Sequence, residues 1–319
     1  MKNKPVVIVC GDPESTFNEI LIKTLKSKAF RNFKIPIIII CSEKLFRNEF
    51  KKLKTKINLQ KFENQNKLLN NKIYIIDIPL KKGNLSLLKK NEYIKKSFSV
   101  ALSLLKKNNS FALINGPISK ATFLKGKFKG VTEYLAFKTK SINEVMLIFN
   151  KELSVSPITT HVPIDKVSQK IKKKVIIKKI NNINEFYKKF LNLKPNIAVT
   201  GLNPHCETFA GKNIEKDEIL PAIKMLKKKK IKILGPFSAD TISLKENRKK
   251  FDVVVGMYHD QVLAPIKTIF GFNAINITIG LPFIRITPDH GPNYKMFGLN
   301  MSKPDSLIQA FSFIKKYVV

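Results

Sequence analysis

The residues best suited to chemistry are the four histidines, each of which directly follows an apolar run. His161 ends LSVSPITTH, His205 ends NIAVTGLNPH, His259 ends VVVGMYH and His290 follows FIRITPDH. Apolar, β-branched runs predict buried strands, and open α/β sheets bind ligands at the carboxyl ends of their strands. A single histidine in such a place would more simply be a core or capping residue, but four out of four favour a site. Neutral imidazoles that converge there could bind Zn²⁺ or another divalent cation.

Further polar side chains follow the same predicted strands. They are Lys120, Thr132, Glu133, Asp240, Asp260, Lys267, Asn276 and Arg285. Lysine, asparagine and arginine together suit a phosphate or carboxylate group, although Asn276 could equally be a hydrogen-bonded strand residue and Lys267 a surface lysine. These residues predict a divalent-metal enzyme that acts on a small phosphorylated or carboxylated substrate. They do not distinguish redox chemistry from hydrolysis.

Several motifs of common enzyme classes are absent from the sequence. The first predicted turn reads GDPEST, and neither GxGxxG, a GKS/T P-loop, a GxSxG elbow nor HExxH occurs. A Rossmann dinucleotide site of the usual kind is therefore not expected. The spacings between His161, His205 and His259, which are 44 and 54 residues, match no local metal motif. The position of the histidines at predicted strand ends is thus better evidence for a metal site than their spacing along the sequence.

The charge of the chain is strongly positive. Lys and Arg number 59 against 23 Asp and Glu, which gives a formal net charge of +36. Only four of these basic residues are arginines (Arg31, Arg47, Arg248 and Arg285), and arginine is the better reader of bases and phosphates. A solvated lysine surface is therefore favoured over a nucleic-acid-binding role. Arg285 stands out because it lies among apolar residues in LPFIRITPDHG, which suggests that its fork of donors is needed.

Cysteine usage and hydropathy bear on the compartment. Cys10, Cys41 and Cys206 are odd in number, far apart and without a CxxC pair, which favours a reducing, cytoplasmic environment. No run of 18 or more apolar residues occurs, so no transmembrane helix is expected. The first apolar run enters a Gly-Asp-Pro turn at once, which is typical of a core strand and not of a signal peptide.

Apolar strands alternate with amphipathic helices along the chain, and this order must position the polar residues. Strands are expected in 6–11, 35–42, 73–80, 111–120, 144–149, 196–205, 231–240, 252–260 and 274–283. Helices are expected in 18–30, 92–107, 164–191 (with room for a break), 217–230 and 306–319, while 51–72 is typical of a helix followed by an exposed connection. This alternation predicts an α/β fold with largely parallel sheets.

Eight sequence blocks, in order, resemble the 4-hydroxythreonine-4-phosphate dehydrogenase family of vitamin B6 synthesis. They are INGPISK, GVTEYLAFKT, TTHVPI, GLNPH, GPFSADT, MYHDQVLAPIK, NITIGLPFIR and PDHG. The resemblance implies two α/β/α lobes with a central cleft, as in isocitrate and isopropylmalate dehydrogenases. The first lobe would comprise 1–128 plus about 273–319, and the second would comprise 129–272 with the metal-site histidines and the contacts of a homodimer. It also implies that NAD or NADP is bound without GxGxxG.

The same resemblance implies roles for particular residues. The metal ligands would be His161, His205 and His259, one of them supplied by the partner subunit at an active site on the dimer interface, around zinc, magnesium or cobalt. The substrate would contact Thr132, Lys267, Asn276 and Arg285. Asp240, Asp260 and Lys267 would serve catalysis, while the cofactor-binding residues and the role of His290 stay open. The implied reaction oxidises C3 of 4-phosphooxy-L-threonine, and the resulting β-keto acid loses CO₂ to give 3-amino-2-oxopropyl phosphate.

Three departures from the family pattern affect the expected substrate. Val131 stands where the family has a substrate-contacting histidine, the first turn GDPESTFNE lacks the family's glycines, and Cys206-Glu207-Thr208 replaces the usual AGE. Valine can neither donate nor accept a hydrogen bond from its side chain. The alternatives are a sister dehydrogenase that acts on a four-carbon sugar-acid phosphate such as threonate or erythronate 4-phosphate, and a non-redox metal-dependent or binding protein on the same fold.

Overall fold

The chain forms two compact units. The computed structural model describes residues 4–63, 68–80, 86–106, 110, 112–119, 123, 128, 130–142, 144–207, 213–271, 273–288 and 291–318. The first unit comprises Met1–Lys138 with Pro282–Val319, and the second comprises Thr139–Leu281. The unit boundaries thus lie after Lys138 and after Leu281.

Six parallel strands form the sheet of the first unit in the order β3-β4-β2-β1-β5-β12. These strands are β1 (Val6–Val9), β2 (Ile37–Cys41), β3 (Gln60–Lys61), β4 (Ile73–Asp77), β5 (Ala112–Asn115) and β12 (Ile284–Pro288). Every residue of β1 and β2 is buried. Continuous Val and Ile runs suit strands that are covered on both faces.

Helices of the first unit flank this sheet. They are α1 (Phe17–Lys26), α2 (Glu43–Lys52), α3 (Leu87–Lys106), α4 (Val131–Thr139), which ends at the unit boundary, and α10 (Asp305–Tyr317), with 3₁₀ turns at Lys28–Phe30 and Tyr294–Met296. Helix α3 packs against β1, β2 and β5, and α10 packs against β12 and α1. The buried residues of α3 recur at spacings of three and four, from Tyr93 to Leu105, as an amphipathic helix requires.

The sheet of the second unit is mixed, in the order β11-β6-β7-β10-β8-β9. Its strands are β6 (Val145–Phe149), β7 (Ser154–Thr159), β8 (Ile197–Thr200), β9 (Ile233–Phe237), β10 (Val253–Tyr258) and β11 (Ile275–Ile279). Strand β6 runs antiparallel to both β7 and β11, while β7, β10, β8 and β9 are parallel to one another. The carboxyl ends of β7, β10 and β8 therefore meet at one edge.

Helices of the second unit include the one that begins at His259. They are α5 (Val167–Lys170), α6 (Lys173–Phe186), α7 (Leu220–Lys228), α8 (Lys245–Arg248) and α9 (His259–Phe270), with 3₁₀ turns at Ile164–Lys166 and Pro204–Cys206 and π turns at Tyr187–Leu191 and Glu215–Ile219. Helix α9 buries Val262, Leu263 and Ile266 in a core shared with β7, β8 and β10. Each such side chain contributes about 1.5–3 kcal/mol on burial, which anchors the helix beneath the strand ends.

The α/β fold predicted from the sequence is confirmed, with differences of detail. The helix expected over 164–191 is broken between Lys170 and Lys173. The stretch Val131–Thr139, for which no element was predicted, is a helix that begins at Val131. A two-residue strand, Gln60–Lys61, lies in the segment expected to be an exposed connection. Within the described residues no helix is long and apolar enough to cross a membrane.

Candidate functional site

Three adjacent strands bring three of the four histidines to one edge of the second unit's sheet. In the register of this sheet, Thr159 of β7 pairs with Tyr258 of β10, and β10 pairs in parallel with β8. His161 lies two residues beyond the end of β7, His259 directly follows β10, and His205 lies five residues beyond the end of β8. The fourth histidine, His290, lies outside the described residues, as does Lys120.

His161 and His259 are neighbours at this edge. Their ring centroids lie 6.1 Å apart, with 32° between the ring planes. A separation of this size is compatible with one ion between two imidazoles, because each Zn–N bond is about 2.0–2.1 Å long. The arrangement therefore has room for a shared cation between these two side chains.

The carboxylate of Asp260 orients the imidazole of His259. His259 Nδ1 lies 2.8 Å from Asp260 Oδ1. Donation from Nδ1–H to the carboxylate fixes the tautomer that carries its lone pair on Nε2, and metal-ligating histidines are commonly held in this way. Asp260 is 84% exposed, so its remaining oxygen lies open to solvent or to a ligand.

His205 has a related partner on the neighbouring strand connection. Its Nδ1 lies 3.4 Å from Ser238 Oγ and 4.0 Å from Asp240 Oδ2. Ser238 Oγ donates a 2.6 Å hydrogen bond to Asp240 Oδ1. That hydrogen bond is the main cause of a lowered pKa for the exposed Asp240, and the nearby His205 lowers the pKa further. Asp240 therefore stays ionised beside His205 at neutral pH.

Two of these histidines adopt a backbone conformation that is uncommon for residues with a side chain. The φ angle is 43° at His161 and 52° at His205, and it is 58° at the adjacent Cys206. A left-handed residue other than glycine costs of order 1–2 kcal/mol. Such strain clusters at active sites and ligand clamps, so the observed angles favour a functional role for both histidine turns.

A buried carboxylate that was not predicted from the sequence holds the turn before His205. Glu215 is 1% exposed, and its Oε1 accepts hydrogen bonds from the backbone N–H groups of Leu202 and Asn203, both at 2.8 Å. Its Oε2 accepts a third from Asn203 Nδ2 at 2.9 Å. A carboxylate buried with several N–H donors is well satisfied. The acidic start of IEKDEI was a weak signal for this role.

Lys267 and Asn276 also belong to the second unit. Lys267 is exposed on α9, eight residues after His259 and therefore about two turns along the helix. Asn276 lies on β11, half-buried, opposite Ile148 of β6. Its side-chain oxygen is buried and has no hydrogen-bond partner within the described part of the chain. A buried acceptor without a partner costs about 1–3 kcal/mol, which suits a residue whose partner is a ligand.

Arg285 and Thr132 lie together in the first unit. Arg285 is 4% exposed on β12, and its Nη1 donates to Thr132 Oγ1 at 2.8 Å. Its Nε donates to Oδ1 of Asn115 at 2.7 Å, and Asn115 ends β5, the strand beside β12. Burial lowers the pKa of Arg285 to about 10, while Glu133 acts in the opposite direction. The guanidinium is therefore charged at neutral pH, and Asn115 and Thr132 accept its hydrogen bonds. Asn115 was not among the site residues predicted from the sequence.

The donor set of the second unit fits a divalent cation, although the described residues of one chain do not close a site. No group of three or more His, Cys, Asp or Glu side chains converges on a single point among the residues described. Imidazole nitrogens with carboxylates behind them are ligands that zinc and related ions accept. His161, His205 and His259 are the residues that could hold such an ion.

Solved structures of known enzymes superpose on this chain. The isocitrate dehydrogenase of Methylococcus capsulatus superposes with a TM-score of 0.53 at 12% identity, over 98% of this chain and 85% of that one. This likeness concerns the fold alone. The 4-hydroxythreonine-4-phosphate dehydrogenase of Klebsiella pneumoniae superposes with a TM-score of 0.81 at 26% identity, over 98% of both chains.

Sequence comparison identifies the family. The model of the family described as "Pyridoxal phosphate biosynthetic protein PdxA" matches residues 33–314. A 4-hydroxythreonine-4-phosphate dehydrogenase from Sulfurihydrogenibium sp. is 38% identical over 96% of this chain and 95% of its own. A protein from Oceanobacillus iheyensis named "Putative D-threonate 4-phosphate dehydrogenase" is 31% identical over 97% of both. The chain therefore belongs to the PdxA family.

Proposed function

We propose that this protein is an oxidoreductase that converts 4-phosphooxy-L-threonine with NAD or NADP in pyridoxal 5'-phosphate biosynthesis. In the oxidation of this C3 alcohol to a ketone, the hydrogen on C3 passes as a hydride to the nicotinamide and the hydroxyl proton passes to a base. The product, 2-amino-3-oxo-4-phosphooxybutanoate, then loses CO₂ to give 3-amino-2-oxopropyl phosphate. Membership of the family and the names of its similar relatives support this assignment.

The placement of His161, His205 and His259 at the ends of β7, β8 and β10 is the structural observation that carries the proposal. These three side chains would hold a divalent cation, with zinc, magnesium and cobalt as the candidates. Such a cation lowers the pKa of a coordinated hydroxyl and stabilises negative charge on its oxygen. Asp260 holds His259 in the tautomer that this role needs. Asp240 and Asp260 are also placed to take up a proton next to the histidines.

The anionic groups of the substrate are assigned to the two cationic residues of the predicted site. Arg285 presents a buried, charged guanidinium that Asn115 and Thr132 hold in place. Such a planar donor set suits phosphate or carboxylate. We assign Lys267 to a second anionic group, and Asn276 to a hydrogen bond that would satisfy its buried oxygen. Thr132 adds a hydroxyl beside the guanidinium.

We further propose that the active protein is a homodimer with its active site at the subunit interface. The described part of one chain brings His161 and His259 together but does not complete a three-ligand group. A ligand from a second copy would supply the missing donor. A cytoplasmic location accords with the three free cysteines, Cys10, Cys41 and Cys206.

A second candidate function is the oxidation of a sugar-acid phosphate such as D-threonate or erythronate 4-phosphate. Val131 favours it, because this half-buried residue begins α4 directly before Thr132 and offers no polar atom where the family has histidine. The name of the Oceanobacillus relative points the same way.

One assay separates these functions. The purified chain, loaded with Zn²⁺, Mg²⁺ or Co²⁺ in turn, is supplied with NAD⁺ or NADP⁺ and each substrate, and the absorbance of the reduced cofactor is followed. Turnover of 4-phosphooxy-L-threonine that stops with a chelator supports the first proposal. Turnover of threonate or erythronate 4-phosphate alone supports the second. No reduced cofactor with any substrate or metal would refute both.

A further inference from the structure

The side chain of Gln261 connects two of the strand ends that carry candidate metal ligands. It is the third residue of α9 and is half-buried. Its Oε1 accepts hydrogen bonds from the Met257 backbone N–H at 2.6 Å and from Thr200 Oγ1 at 2.9 Å. Its Nε2 donates to the Gly201 carbonyl oxygen at 2.8 Å. One amide group therefore joins the end of β10 to the end of β8.

The groups bound by Gln261 lie close to the histidines in sequence. Met257 precedes His259 by two residues, and Gly201 precedes His205 by four. The carbonyl oxygen of Met257 also accepts a hydrogen bond from Thr159 Oγ1 at 2.8 Å, and Thr159 precedes His161 by two residues. Met257 is thus held on its N–H side by Gln261 and on its carbonyl side by β7. These contacts tie all three histidine-bearing segments together.

Two glycines make room for this arrangement. A Cβ atom on Gly256 would lie 2.4 Å from Val262 Cγ1 and 2.9 Å from Gln261 Oε1. A Cβ atom on Gly201 would lie 2.6 Å from Cys206 Sγ and 3.2 Å from Glu215 Oε1. A side chain at position 256 would therefore displace Val262 and the Gln261 amide, and one at position 201 would displace Cys206. The sequence at both strand ends accommodates the bridge.

The bridge requires an amide group. Gln261 acts as an acceptor for two donors and as a donor to one carbonyl oxygen, and only a side-chain amide offers both functions in this geometry. Glutamate would retain the two acceptor contacts but would set a carboxylate oxygen against the Gly201 carbonyl oxygen. Leucine would lose all three contacts and leave the Met257 N–H without its side-chain acceptor. The two substitutions therefore test different parts of the bridge.

We propose that Gln261 is a positioning residue that holds the His205 and His259 segments in place and so sets the affinity of the metal sites to which these two histidines contribute. This inference rests on the proposed function, because it assumes that these histidines bind a divalent cation. Partners behind metal ligands typically change metal affinity or activity by about 10–100-fold when they are replaced. We expect an effect of that size from Gln261, although it contacts no histidine directly.

Titration of the full-length protein with Co²⁺ tests this proposal without any substrate. Binding is followed by the visible absorption bands of the bound ion, whose intensity and position also report the coordination geometry. Gln261→Leu and Gln261→Glu should each weaken Co²⁺ binding by about 10–100-fold and alter the spectrum. Thr200→Val, which removes one contact to Gln261 Oε1, should give a smaller loss. This milder variant keeps the test decisive if Gln261→Leu folds poorly.

Two control variants separate positioning from general stability. Gln169→Glu makes the same chemical change at an exposed position on α5, and it should bind Co²⁺ as the wild type does. Ile180→Val removes a methylene group from the core residue Ile180 on α6, so it should lower the unfolding temperature without changing the Co²⁺ spectrum. A Gln261 variant that loses only as much affinity as Ile180→Val would overturn the positioning role.

Co²⁺ binding by the wild type distinguishes failure of the metal-site proposal from failure of the Gln261 proposal. If the wild type binds Co²⁺ and both Gln261 variants bind it equally tightly with the same spectrum, the bridge has no positioning role while the metal-site proposal stands. If the wild type binds no divalent cation, both proposals fail together. Weaker binding and a changed spectrum in the Gln261 variants alone would support both.

Discussion

Substitution of Asn115 tests whether Arg285 binds the substrate anion. Asn115 is 2% exposed and accepts the Nε–H of Arg285 at 2.7 Å. In Asn115→Leu this donor of a buried cation loses its partner, and a hydrogen bond to a charged group is worth about 1.5–3 kcal/mol. We expect the free energy of unfolding to fall by about that amount. If the guanidinium must also be oriented for the substrate, kcat/KM should fall by roughly 10- to 150-fold.

Asn115→Asp should separate substrate binding from stability. A carboxylate at this position keeps the acceptor and favours the charged form of its neighbour, so the pKa of Arg285 should rise above its present value of about 10. The free energy of unfolding should therefore hold near the wild-type value. The introduced carboxylate would already neutralise the guanidinium, however, so KM for the phosphorylated substrate should rise by at least about 10-fold.

Urea unfolding and steady-state kinetics on the two variants provide the measurement. Asn58→Asp, the same substitution at an exposed position outside any helix or strand, serves as the control and should match the wild type in both. The decisive result is an Asn115→Asp variant that keeps its stability but binds substrate weakly. Wild-type KM in both Asn115 variants would refute the reasoning, because Arg285 would then have a structural role alone.

Three further changes have defined outcomes. Val131→His should raise kcat/KM for 4-phosphooxy-L-threonine by roughly 10- to 150-fold if a contact to a charged group was lost. An unchanged ratio of this kcat/KM to the kcat/KM for the sugar-acid phosphates would contradict this. Glu215→Ala should weaken Co²⁺ binding and lower the unfolding temperature, since it leaves three N–H donors without their acceptor; an unchanged affinity would exclude a role for Glu215 in shaping the turn. Ser238→Ala should raise the pKa of Asp240, measured by NMR titration, because the hydroxyl that lowers it is gone. A depressed carboxylate pKa contributes stability above the unfolded-state pKa, and this is lost as pH falls through the folded-state pKa. In Ser238→Ala that contribution should be smaller and its loss should be complete at a higher pH; an unmoved titration would show that the hydroxyl is not the cause of the lowered pKa.

Apolar runs made the strands and the histidine edge predictable from the sequence. The run Val253–Val255 predicted a buried strand, and its parallel neighbours bring His259 to the same edge as His161 and His205. Helix α4 had no such signal, because Tyr134, Leu135 and Ala136 are buried in succession and show no helical period. The two-residue strand Gln60–Lys61 likewise carries no apolar pattern.

The hydrogen bonds that support the site were beyond sequence reasoning. Gln261 reaches Gly201 across 60 residues of chain, and Arg285 reaches Asn115 across 170. Such pairs depend on which strands become neighbours, and local composition does not predict that β12 lies beside β5 in the first unit or that β8 lies beside β10 in the second. The residue types alone do not show which polar side chain supports which strand end.

The positive φ angles of His161 and His205 imply a trade-off between stability and function. Glycine adopts this backbone without steric cost, and asparagine does so more readily than most residues. Selection for a stable fold alone would therefore favour glycine or asparagine at both positions. Histidine persists there at a conformational cost, so a His161→Gly protein should unfold at a higher temperature than the metal-free wild type while losing its activity.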